Sequence, residues 1–185
     1  MHQKGILLLL VVFCFSMAAL AQTADTKPDP ALQKLGVFDG QWTYEGQSKS
    51  GPHGSEGKVS GEEEYKMMPG GFFQEHRLKQ KGPSGETQLV ETNGYDPKNK
   101  NFTYHMSESD GDLSTGVMTQ KGNTWTWKGT VVIKGKKYPS RGTYVFAPDM
   151  MSYTVKSEYS PDGKTWQVMY EGKNTKIKPA TKTKN

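Results

Sequence analysis

From Gln41 to Lys176 apolar and aromatic residues fall at alternate positions, in short runs broken by turn-forming residues, and no run carries a helical period. A strand sends successive side chains to opposite faces, so this rhythm restricts the chain to half-buried β-strands. Ten such segments can be marked: Gln41–Ser48, Lys58–Met67, Phe72–Gln80, Thr87–Tyr95, Asn101–Ser107, Leu113–Gln120, Thr124–Ile133, Lys137–Phe146, Met151–Tyr159 and Trp166–Lys176. Between them stand Pro69-Gly70-Gly71, Gly82-Pro83-Ser84-Gly85, Asp96-Pro97-Lys98-Asn99, Asp110-Gly111, Gly122-Asn123, Pro148-Asp149 and Pro161-Asp162-Gly163. Pro69-Gly70-Gly71 supplies only fixed and positive φ, and each of the others joins such a φ to a side chain able to bond its own backbone. Turns this short make sequence neighbours into spatial neighbours. The expected fold is therefore all-β, an antiparallel up-and-down β-barrel of about ten strands, closed so that no edge stays open.

Alternation also assigns the faces. Trp42 and Tyr44, then Val59, Glu63 and Tyr65, then Phe102, Tyr104 and Met106 should point inward. Trp125 and Trp127, Ser140, Gly142, Tyr144 and Phe146, Tyr153 and Val155, and finally Trp166, Val168 and Tyr170 continue that face. Glycines at inward positions suit strands that bend or approach closely.

The N-terminus has its own grammar. Met1 to Lys4 gives a charged start, Gly5 to Ala19 an apolar run, and Ala19-Leu20-Ala21 the small residues of a cleavage site, the pattern of a secretory signal peptide. The run is shorter than the ~20 residues of a bilayer span, so no transmembrane segment is expected after cleavage. The only cysteine, Cys14, lies within the apolar run behind Val12-Phe13, and is expected to leave with the signal. Disulfides, thiolate metal sites and a cysteine nucleophile are then excluded. The expected organisation is a signal peptide over 1–21, a flexible lead-in over 22–34, the barrel over 35–176 and a Lys-rich disordered tail over 177–185. Within this frame Ala31–Val37 can form a helical turn that plugs one end of the barrel. The location would be exported, periplasmic or extracellular.

The net charge of +5 comes mostly from lysines in turns and in the tail. Nucleic-acid binding would need basic residues clustered beside stacking aromatics, whereas the aromatics here alternate along strands; no nucleic-acid partner is expected.

Gly40-Gln41-Trp42 resembles the G-x-W opening strand of lipocalin-like barrels. Further landmarks are Leu35-Gly36, Pro69-Gly70-Gly71-Phe72, Gly94-Tyr95-Asp96-Pro97-Lys98, Ser140-Arg141-Gly142-Thr143-Tyr144, and Ser160-Pro161-Asp162-Gly163-Lys164-Thr165-Trp166. In their order and spacing they resemble a bacterial set, the domain-of-unknown-function family fifteen seventy-nine. The resemblance implies a lipocalin- or nitrobindin-like barrel and no defined activity. Nitrobindin-type barrels hold haem through a histidine in the C-terminal strand; Trp166–Lys176 has none, so haem is not carried over and no cofactor is expected.

Candidate site residues follow from the faces. His76 shares a face with Phe72, Gln74 and Leu78 and can point inward, whereas His105 should face solvent. No H-x-H or H-E-x-x-H spacing occurs, so no metal is expected. An inward Glu63 would need a partner, which His76 or Arg141 could supply. Arg77 and Arg141 are the only arginines, and either could lie across Trp42 to close the barrel or anchor an anion at its mouth. The expected ligand-binding set is Trp42, Glu63, His76, Arg141 and Tyr144, with no catalytic residue assigned. The leading expectation is an exported, non-enzymatic barrel binding a small apolar or amphipathic molecule. The alternatives are an enzyme using Glu63, His76 and Arg141 at the barrel mouth, and an envelope-associated interaction protein with a filled core.

Overall fold

The computed structural model describes residues 27–178; the expected signal peptide, with Cys14, and most of the lysine-rich tail lie outside them. A 3-10 helix, Pro30–Val37, comes first and serves as a plug. Asp29 caps it by accepting the Ala31 amide at 2.8 Å, and proline at the first position suits a helix start. Ten strands follow: β1 Gly40–Ser48, β2 Gly57–Met67, β3 Gln74–Gly82, β4 Gly85–Asp96, β5 Asn101–Glu108, β6 Leu113–Lys121, β7 Thr124–Ile133, β8 Lys136–Phe146, β9 Ser152–Tyr159 and β10 Gln167–Lys176. Each pairs antiparallel with its sequence neighbour, and β1 pairs with β10, closing the barrel.

Two turns show why the sequence breaks where it does. The Asp96 carboxylate accepts the amides of Lys98 and Asn99 before β5, and Asp162 accepts those of Lys164 and Thr165 before β10.

The core is concentrated at the plugged end. Leu32, Leu35 and Phe38 pack into a cluster with Trp42, Tyr65, Phe102, Trp125, Phe146 and Tyr153. Trp42 is fully buried; its indole donates to the Phe38 carbonyl at 2.7 Å, and the Lys176 ammonium lies 5.0 Å from its ring. Lys176, and neither arginine, therefore lies across Trp42. Both ends of the described chain leave from this rim: Pro28 faces Gly71 in the β2–β3 turn, and the Ile177 amide bonds the Gln41 carbonyl.

Elsewhere the wall is lined by aromatic rings seated on glycines. Gly46 and Gly172 are partners across β1 and β10, and a Cβ on either would overlap the Tyr170 hydroxyl. Gly116 and Gly129, partners across β6 and β7, lie under Tyr104, and Gly142 lies under Trp127. The rings lie against the wall because these positions carry no side chain, which leaves the barrel axis open.

Three inward assignments are corrected. Phe72 is exposed (39%), because positive φ at Gly70 and Gly71 turns the chain before β3 begins at Gln74. Trp166 precedes β10 and lies on the outer face beneath Arg141. Val168 pairs with the outward Glu158, and a bulge between Val168 and Tyr170 then restores the inward register for Tyr170.

Candidate functional site

A cavity of about 470 Å³ occupies the barrel interior, reaching from the plug cluster to the rim formed by His53, Gly82–Glu86, and Ser109, Asp110 and Asp112. Its most concentrated polar group stands on three adjacent strands. Tyr65 on β2, His76 on β3 and Glu91 on β4 are in register, and Glu63 lies on the same face of β2 as Tyr65. His76 Nε2 is 3.1 Å from Glu63 Oε2, and its Nδ1 is 3.6 Å from Glu91 Oε1, an ion-pair distance. The Tyr65 ring stacks on the imidazole at 3.9 Å and 5°. Glu63 Oε1 also accepts from the Tyr153 hydroxyl and the Asn174 amide, while Asn93 donates to Glu91 at 3.0 Å. Glu63 is therefore satisfied from β3, β9 and β10 together.

The electrostatics follow from burial and pairing. Burial alone would depress the imidazole, but hydrogen bonding and charge from Glu63 and Glu91 override it and raise His76 to about 9. Burial, reinforced by the charge of nearby carboxylates, lifts Tyr144 and Tyr153 well above the ordinary phenol range, so both stay neutral. Near the rim, burial and then the charges of Asp110 and Asp112 raise Glu108 to about 7. Burial lowers His53.

The structure brings together Glu63, His76 and Tyr144 on the cavity wall and separates the other two candidates. Trp42 is sealed in the plug cluster and does not line the cavity. Arg141 is on the outer face: its Nε is 2.9 Å from Glu158, and its guanidinium lies 4.1 Å from the centre of the Trp166 ring. Since Ser140 and Gly142 face inward, Arg141 must face outward. The partner of Glu63 is His76. His105 is exposed, as expected, whereas Arg77 pairs with Glu75 outside the barrel and does not lie across Trp42. Glu91, Asn93 and Asn174 were not signalled by the sequence. Among the described residues no group of three or more His, Cys, Asp and Glu is arranged to hold a metal ion.

A family described as "Protein of unknown function (DUF1579)" matches residues 27–176, most of the chain. The chain belongs to this family. No curated protein matches this DUF1579 member. Among solved structures it is similar to Rv2717c from M. tuberculosis, at 12% identity and a TM-score of 0.61, covering 82% of this chain and 100% of that one. At that identity the likeness is one of fold. Among the described residues no helix is long and apolar enough to cross a membrane.

Proposed function

We propose that this protein is an exported barrel that binds a small apolar or amphipathic molecule in its lumen. The observation that carries the reading is the cavity of about 470 Å³, lined by Tyr44, Tyr104, Trp127, Tyr144 and Tyr170 with the Glu63–His76–Glu91 group in its wall. That volume is within the range of small-molecule pockets, which join an apolar lining to a few placed polar groups. An open lumen also weighs against an interaction protein with a filled core. Export rests on the sequence alone, on the charged start, the apolar run and Ala19-Leu20-Ala21.

A second reading, an enzyme, draws on one specific observation: Glu63 and His76 are within hydrogen-bond distance. Two features favour the carrier. His76 is held between two carboxylates and raised to about 9, so at neutral pH it is an imidazolium without a free lone pair for a general base. Its ring is also covered on one face by Tyr65.

Native mass spectrometry of protein purified from its own envelope tests the reading. The expected result is a bound mass that is lost on denaturation. A bare mass in every preparation, together with no saturable response to apolar or amphipathic compounds, would remove it. N-terminal sequencing of the same material should begin at Gln22.

A further inference from the structure

The cavity is acidic in a chain whose formal charge is +5. Glu63, Glu86, Glu91, Glu108, Asp110 and Asp112 line it against His53 and His76, and no lysine or arginine of the described residues does. Deep in the barrel, two carboxylates face one imidazolium, a formal charge of −1 in a region shielded from water. A buried excess of one sign is unfavourable unless something compensates it.

A second observation concerns hydrogen bonding. Asn174 is 2% exposed and gives its Nδ2 to Glu63, but its Oδ1 has no partner. Ser140 Oγ, 4% exposed, also has none. Both residues belong to the cavity wall. A carbonyl oxygen only accepts, so Asn174 requires a donor, and buried polar groups left alone are rare. Trp127 and Tyr144, stacked at 4.6 Å on the same wall, add aromatic faces that attract positive charge.

We propose that the ligand is a protonated organic amine on an apolar body, its ammonium set among Glu63, Glu91 and Asn174 and its body against the aromatic wall. The inference rests on the lumen-binding reading above. Asp110 and Asp112, with Glu108 beside them, give an acidic lining to the mouth through which such a ligand would enter.

Three probes of matched shape separate charge from apolar fit: 1-naphthylmethylamine, 1-naphthylmethanol and 1-naphthoate, titrated calorimetrically into the full chain at pH 7. The expected order is amine, then alcohol at least about ten-fold weaker, then naphthoate. The protein's net charge would draw anions at long range, so an amine preference must come from the lumen. Glu63→Gln should lower amine affinity about ten-fold and leave the alcohol within about two-fold. Circular dichroism checks that the variant folds, and Glu91→Gln carries the same test if it does not. Alcohol or naphthoate binding as tightly as the amine overturns the inference while the lumen reading stands. Amine affinity unchanged in all folded variants also overturns it. Binding of none of the three removes the lumen reading and the inference with it.

Discussion

In the unfolded chain His76 releases its proton near pH 6.5; in the barrel it keeps it to about pH 9. The folded state binds that proton more tightly, so the stability it contributes is fully present below pH 6.5 and is lost as pH rises through about 9. Glu108 acts in the same sense in a lower window: its value rises from 4.5 to about 7, so folding is disfavoured as pH climbs through that interval and the group ionises. The urea midpoint should therefore fall between pH 5 and pH 9. His76→Gln should flatten the upper part of that slope and Glu108→Gln the lower part. A midpoint rising across the range would contradict both assignments. Trp42→Ala should cost about 3–5 kcal/mol, since it empties a fully buried site and removes the indole bond to Phe38; denaturant unfolding measures it. Arg141→Lys should change stability by less than about 1 kcal/mol, because its pair with Glu158 is solvent-exposed. The same change should leave lumen binding unaltered, as the residue faces outward.

At the scale of the strand, legibility depends on which face carries the apolar signal. β2 alternates Val59 and Tyr65 inward with charged residues outward, so Glu63 could be placed from the sequence. Its partner His76 followed from Leu78 on β3. β4 inverts the rule: Val90 is 40% exposed while Glu91 and Asn93 are buried, so the alternation that places Glu63 conceals Glu91. The bulge in β10 was hidden as well, since an extra residue leaves no mark in composition and displaces only the residues before it. Arg141 shows a different failure, because scarcity of arginine suggested a site although register had already turned it outward. The glycine seats give a test at this scale. Gly142→Ala places a methyl group against the Trp127 ring and the Lys156 carbonyl, and should destabilise by roughly 1–3 kcal/mol. A Trp127 pushed off its seat would shift the emission spectrum; an unchanged spectrum and midpoint would show that the seat can yield.

For the whole molecule, turn chemistry made the closed meander legible almost strand for strand, while the open lumen depended on packing that no period reveals. Far-UV circular dichroism should be dominated by β-sheet, with the plug as the only helix among the described residues. Strong helical minima would be incompatible with the barrel. Ten is an even number, so a meander beginning at the plugged rim must end there. The described chain enters beside Gly71 and leaves beside Gln41, with the mouth at the opposite rim. The barrel thus has a polarity of attachment: both ends of the described chain leave from the sealed rim, on the side away from the opening. Immobilised through its N-terminus or its C-terminus, the protein should present the same unobstructed mouth and the same capacity for ligand.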